Sequence, residues 1–232
     1  MVKNHLKRLM MPPSWQIKRK GIKFVIRPNS GPHSFDLSFP LGLIIRDVLG
    51  YAKNLREADI ILQERSVFVD GIRRKDSKFP VGLMDTIRIE ESNDNFRVVL
   101  NEKGKLSIIK IKNDEVNLKL CRINGKCLVK KKIQINLDDG NNMLIEKNDY
   151  KAGDSLLIGL PKHEIKSHLK FEKGALIYLI DGKHTGSFGT VEDIAVKKIT
   201  YKRKAGEVFE TLKRYAFVVG KDKPVITLKE DK

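Results

Sequence analysis

Apolar positions along the chain follow two spacings, a helical one that is confined to a short stretch and a strand-like one that dominates. In FPLGLIIRDVLGYAKN, residues 39–54, Leu41, Ile44, Ile45, Val48 and Leu49 fall on one helical face, with Arg46, Asp47 and Lys53 polar. Pro40 suits the first turn of such a helix. Helical spacing restarts at Leu55, Ala58, Ile61 and Leu62. Asn54 can cap this second helix, and Glu57, three residues on, completes a capping box. The run VFVDGIRRKD then changes to strand character around Asp70-Gly71, a strong hairpin signal. PVGLMDTIRI supplies a further strand. Residues 41–91 are thus expected to form two helices packed on a small sheet.

From residue 96 the period is two. FRVVL and KLSIIKI flank Lys103-Gly104, and AGDSLLIGL is another strand after a glycine turn. LCRINGKCLV places Asn124-Gly125 between two apolar runs, which predicts a second hairpin with Cys121 and Cys127 at facing positions. NDEVN, residues 113–117, reads as a short helical turn. Strands and turns alternate over 174–220, through ALIYLI, DGKHTGSFG, TVEDIAV and YAFVVG. No fixed-period repeat interrupts this pattern. The fold class is α+β and multidomain.

Charge changes the picture most in the head. The chain has 232 residues with 46 Lys plus Arg against 29 Asp plus Glu, a net +17. Such a field attracts polyanions, nucleic acid before anionic membrane. Residues 1–40 carry eight basic side chains against one acid, Asp36, whereas residues 41–91 are neutral overall. The head also holds Pro12, Pro13, Gly21, Pro28, Gly31, Pro32 and Pro40, so no single regular element fits it. It is expected to have little core of its own and to order against a partner. No apolar run reaches the length of a membrane span. Its apolar start is too short, and too soon stopped by Pro12-Pro13, for a secretory signal. Two cysteines give neither a disulfide framework nor a four-ligand zinc site, so a reducing compartment is expected.

Catalytic constellations are missing from the pattern. His5, His33, His163, His168 and His184 are scattered, and the pair His163 and His168 has no cysteine or acid cluster beside it. No G-x-S-x-G, H-E-x-x-H or G-x-G-x-x-G occurs, and DGKHTG lacks the leading glycine and the K-[ST] pair of a phosphate-binding loop. The expectation is a binding protein, not an enzyme, without metal or cofactor.

Three segments carry candidate RNA contacts. KNLREADIILQERSVFVDGIRRKD places Lys53, Arg56 and Arg65 near the ends and outer face of a helix, and Arg73, Arg74 and Lys75 on a hairpin. A helix beside a basic hairpin grips an RNA backbone through phosphates. The capped helix followed by V-x-V-[ND]-G resembles the αL RNA-binding module of a bacterial small-subunit ribosomal protein, of pseudouridine synthases and of some tRNA synthetases. Many members carry an arginine directly after the capping residue. Here Leu55 stands there, and Arg56, one step on, is turned by about 100°. FEKGALIYLIDGKHTGSFGTVEDI resembles a KOW motif, which implies an SH3-like small β-barrel with Lys183 and His184 at a loop tip. Gly182, Gly186 and Gly189 would let its backbone bend and approach a phosphate or base.

The opening stretch HLKRLMMPPSW, with RPNSGPHS at 27–34, resembles the start of small-subunit ribosomal protein four of the archaeal–eukaryotic type. Met10 departs from the small or polar residue usual there. That family's order of parts implies a basic extension over 1–40, an αL-type module over 41–91, a β-rich central domain over 92–169, a KOW barrel over 170–220 and a tail over 221–232. It also implies small-subunit ribosomal RNA and neighbouring ribosomal proteins as partners, a cytoplasmic, ribosome-associated location, no membrane contact, and a monomer when free. On this reading His5, Lys7, Arg8, Lys18, Arg19 and Lys20 meet RNA. Trp15 fills an RNA or protein crevice, packs on the protein's own core, or does both in part. Deletion of residues 1–20 is expected to weaken RNA binding with little loss of stability. Two other classes remain open: a free RNA-binding chaperone or transcription or translation factor, separable by cell fractionation, and an RNA-modifying enzyme, separable by assaying uridine isomerisation.

Overall fold

The computed structural model describes residues 4–130, 132–146, 148–203 and 206–229. The chain forms two compact units, residues 1–99 with 105–117 and residues 100–104 with 118–232. It is β-rich with few helices.

In the first unit the capping box forms as the sequence predicts. The Glu57 N–H donates to Asn54 Oδ1 at 2.9 Å, and the Glu57 carboxylate accepts from the Lys53 N–H at 2.7 Å. The helix it opens, Leu55–Glu64, buries Ala58 and Leu62. The preceding helix is shorter than its pattern implies. One turn at Leu41–Leu43 widens into a π-helical turn over Ile44–Val48, which buries Ile44 and Ile45 and leaves Val48 exposed. Asp70 and Gly71 both adopt positive φ, 52° and 74°, the conformation a two-residue hairpin of the primed type requires. That hairpin joins Val67–Val69 to Ile72–Arg73 and edges a five-stranded sheet, continued by Thr86–Ile89, Asp94–Leu100 and Leu106–Lys110. Strands 94–100 and 106–110, expected in the central domain, therefore complete the sheet of the helix–hairpin module.

The head differs most from expectation. Leu6–Lys7 pairs with Phe24–Val25, and Ser38–Pro40 with Pro80–Gly82. Leu6, Met11, Val25, Ile26 and Phe39 are buried. Trp15 is 2% exposed, donates its indole N–H to the Ser38 carbonyl at 2.8 Å, and lies 5.7 Å from the Phe39 ring. The Ser14 carbonyl accepts from the Leu106 N–H at 2.7 Å, beside a Trp15–Leu106 bridge. The head thus packs into the core of the first unit. Trp15 is a packing residue and drops out of the RNA-contacting set, and the expected tolerance of a 1–20 deletion falls with it.

The second unit holds two five-stranded sheets. One runs in the order Asn142–Ile145, Lys132–Leu137, Leu118–Val129, Ser155–Gly159, Glu164–Leu169. The other runs Val208–Leu212, Lys198–Lys202, Phe188–Ile194, Leu176–Leu179, Ala216–Gly220. The hairpin predicted at Asn124-Gly125 is absent: Leu118–Val129 is one strand. Neither Asn124 nor Gly125 adopts the positive φ of a primed turn, and the register shifts between Ile123 and Gly125, so the pair forms a bulge. At this bulge the strand changes partner from Ser155–Gly159 to Lys132–Leu137. Cys121 consequently faces Leu156, and Cys127 faces Gln134. The turn over Asn113–Glu115 forms as expected.

Candidate nucleic-acid interface

The basic head is held from inside by one of its own candidate contacts. Arg8 is 7% exposed, and its Nε donates to the Lys18 carbonyl at 2.5 Å while its backbone N–H donates to the Lys23 carbonyl at 2.9 Å. Arg8 is thus a tie that shapes the 16–23 loop. Lys18, Arg19 and Lys20 project from that loop into solvent, with Lys7 also exposed, and Arg19 reaches back to the Leu9 carbonyl at 3.3 Å. His5 is exposed and sits edge-on to Phe24 at 5.7 Å. Leu9, Met10, Ile22 and Phe24 are exposed among these charges.

RPNSGPHS is a packed loop. The His33 ring shares a 2.8 Å hydrogen bond with Asp85 Oδ1, and Asp85 Oδ2 accepts the Gly82 N–H at 2.8 Å. A Cβ on Gly82 would lie 2.1 Å from the His33 ring, so glycine is what lets the loop seat. Arg27 and Lys78 line a cavity of about 450 Å³ beside it.

In the helix–hairpin module the candidate cations separate into two groups. Lys53 and Arg56 stand exposed at the helix start, while Leu55 turns partly inward. Arg65, Arg73, Arg74 and Lys75 lie toward its end, where Arg73 donates to the Gln63 carbonyl at 3.1 Å. The two ends of a ten-residue helix are about 15 Å apart. Arg65 is paired with Glu91 at 3.1 Å, and Arg74 stacks over Phe79 at 4.2 Å. Arg73 and Lys75 are the exposed cations of this hairpin end that no carboxylate is seen to pair.

In the second unit Lys183 is exposed, and the His184 ring packs on Phe209 at 4.4 Å. The loop is hydrogen-bonded to itself: Thr185 Oγ1 donates to the Gly182 carbonyl and Ser187 Oγ to the His184 carbonyl, both at 2.6 Å. A Cβ on Gly186 would meet the Asn101 carbonyl oxygen at 2.2 Å, and one on Gly189 the Tyr201 ring at 2.4 Å. These two glycines admit the protein's own groups at close range, where the sequence pointed to a phosphate or base.

The buried ionisable groups hold structure together. Arg97, fully buried, pairs with Glu115 at 2.8 Å, and Lys119 with Asp139 at 3.3 Å. His168 shares a 2.8 Å hydrogen bond with Asp154 and packs on Tyr150. Cys121, Asp138 and Asp139 bring possible ligand atoms within 4.8 Å of one another. The Lys119 ammonium already supplies the positive charge there, and burial pushes the Asp138 carboxyl up to about 6.

Small ribosomal subunit protein eS4 of Methanococcus aeolicus is 42% identical over 240 aligned positions, which cover 97% of this chain and 98% of that protein. The chain belongs to the S4e family of ribosomal proteins. The eS4 protein of Methanocaldococcus jannaschii is 44% identical over the same coverage. The family described as ribosomal family S4e matches residues 92–165, and the RS4NT (NUC023) domain matches residues 2–36. A crystal structure of the 30S ribosomal protein S4e from Thermoplasma acidophilum superposes with a TM-score of 0.67 at 27% identity, covering 80% of this chain and 95% of that one. The basic loop tied by Arg8 lies within the residues that match the RS4NT domain. Sequence reasoning missed Lys23, Arg27 and Lys78, whose placement depends on the pairing of residues 24–25 with 6–7 and on the seating of 27–34.

Proposed function

We propose that this S4e-family protein is a structural component of the small ribosomal subunit that binds small-subunit ribosomal RNA. The observation that carries the reading is the 16–23 loop, whose lysines and arginine are held outward by the buried Arg8. A prearranged row of cations replaces counterions along an RNA backbone without first losing loop entropy. The Arg73 and Lys75 end of the helix–hairpin module and the Lys183 loop add further cationic points. In this reading the 41–91 segment works as an αL-type module and 170–220 as a KOW-type domain, between a basic extension, a β-rich centre and a short tail. The protein is cytoplasmic, a monomer when free, and acts by binding rather than catalysis.

Sedimentation of cell lysate through sucrose gradients at low and high salt tests this. Co-migration with the small subunit that survives high salt is expected. A protein that stays at the top of the gradient is a free RNA-binding factor, and the proposal fails. If about 6–10 phosphates are contacted, affinity for the isolated RNA falls roughly 10³- to 10⁵-fold between 50 and 200 mM salt.

A further inference from the structure

A cleft of about 650 Å³ opens in the second unit, away from the three segments that carry the candidate RNA contacts. Three separated stretches build it. They are residues 122–124 on the long strand, 152–153 ahead of Ser155–Gly159, and Lys197 with residues 212–214 at one end of the Lys198–Lys202 and Val208–Leu212 pair. Ala152 and Leu212 give it apolar walls, with the backbone around the buried Ile123 behind them. Arg122, Lys197, Lys213 and Arg214 give it four cations, and no described lining residue is acidic.

The cations are prearranged. Arg122 Nη1 donates to the Arg214 carbonyl at 2.5 Å and to the Ala216 carbonyl at 3.3 Å, and its Nη2 donates to Asn124 Oδ1 at 3.4 Å, so backbone and amide oxygens hold the guanidinium in place. Arg214 lies 4.9 Å from the Tyr215 ring and donates to its hydroxyl at 3.0 Å. Lys213 sits over Phe171 at 5.3 Å. Lys197 is exposed at the rim.

The size and mixed chemistry select the ligand. A lone phosphate or carboxylate would satisfy the cations and leave the apolar walls wet. The volume falls in the range of about 300–1,000 Å³ typical of sites for whole small molecules. A nucleotide supplies both halves, a flat apolar base and an anionic phosphate. Unpaired nucleotides in loops and bulges are what proteins seize on folded RNA, and guanidinium planes are among the surfaces bases stack on.

We infer that this cleft takes one unpaired nucleotide of the bound ribosomal RNA, its base against Ala152 and Leu212 and its phosphate between Lys197 and Lys213. The inference rests on the RNA-binding reading above and names a contact within it.

The test uses the full-length protein with a small-subunit ribosomal RNA transcript, ultraviolet crosslinking with peptide mapping, and binding titrations over a salt series. Wild type is expected to crosslink through the cleft peptides to one unpaired position. Ala152→Phe fills the cleft from an exposed wall. It should abolish that crosslink and weaken binding roughly tenfold or more, the loss that follows removal of one base from its platform. Lys197→Ala should lower the magnitude of the salt slope by about one, the change expected for a lost phosphate contact. This exposed substitution decides the matter if Ala152→Phe does not fold. Wild-type affinity, salt slope and crosslinks in both variants would overturn the cleft assignment and leave RNA binding intact. Absence of saturable binding by the wild-type protein would overturn the RNA-binding reading itself, and the cleft with it.

Discussion

Trp15→Ala separates a packing role from an RNA-contacting one. The side chain is 2% exposed, and Phe35 and Phe39 lie at 5.9 and 5.7 Å. Removing a buried indole of this kind costs about 3–5 kcal/mol through lost transfer energy and the cavity left behind. The Ser38 carbonyl also loses its 2.8 Å donor, in a place closed to water. Against a domain stability of roughly 5–15 kcal/mol, that loss removes a large share. Trp15→Phe keeps most of the volume and gives up the hydrogen bond, so its cost should be nearer 1–2 kcal/mol. Urea unfolding of the free protein followed by circular dichroism measures both. In the wild type the lone tryptophan reports the first unit alone, so its fluorescence resolves that unit if the two unfold separately. A Trp15→Ala protein with an unchanged urea midpoint and a selective loss of RNA affinity would refute the packing account.

Four further results are expected. Substituting Lys18, Arg19 and Lys20 together by alanine should lower the magnitude of the salt slope for RNA binding by about two to three, with the unfolding midpoint unmoved; an unaltered slope would remove the loop from the interface. Deletion of residues 1–20 should destabilise the first unit, measured by thermal unfolding, because it removes Met11 and Trp15 from the core. Burial raises the Asp138 pKa from 3.8 to about 6, so the folded state binds more protons than the unfolded one between these values. The stability this group contributes is therefore present below about pH 4 and lost as pH rises through about 6. Asp138→Asn should stabilise at pH 7 and lose that advantage by pH 4, and a pH-independent difference in urea midpoints would contradict it. Gly186→Ala should cost about 1–3 kcal/mol or more, since φ is +77° and the new Cβ meets the Asn101 carbonyl at 2.2 Å; equal urea midpoints would count against the close approach.

Features set by a few neighbouring residues were legible in the sequence. Asn54 and Glu57 cap a helix three residues apart, and Asp70-Gly71 adopts the backbone its composition favours. Asn124-Gly125 carries a similar local signal and forms a bulge. A strand that trades one partner for another at that point outweighs the turn preference of two residues. The head's packing was hidden for a related reason. Trp15 is buried by Ser38, Phe39 and Leu106, and hydropathy in a window around residue 15 carries no trace of them. Arg8 looked like an RNA contact because a basic cluster in sequence does not reveal which member turns inward. The cleft draws on residues from 122 to 214, a separation no motif search spans.

Lysine supplies most of the exposed positive charge of this protein, and that predicts how it would hold the RNA proposed as its partner. Of its thirteen arginines, Arg8, Arg73 and Arg122 donate to backbone carbonyls, and Arg65, Arg88 and Arg97 pair with glutamates. The planar fork of a guanidinium suits such directional contacts. Lysines outnumber arginines at thirty-three, and those at 18, 20, 23, 75 and 183 stand exposed. An ammonium is a compact charge without a fixed donor plane, suited to phosphates and poorly suited to reading base edges. Binding should therefore depend on lysine charge more than on lysine hydrogen-bond geometry. Reductive dimethylation keeps the charge and should leave RNA affinity and its salt slope near wild type. Acetylation removes the charge and should abolish most salt-dependent binding. Titration of both modified proteins against a small-subunit RNA transcript, with circular dichroism to verify the fold, separates the two. Equal loss in both would mean that shaped hydrogen bonding by lysine, rather than its field, holds the RNA.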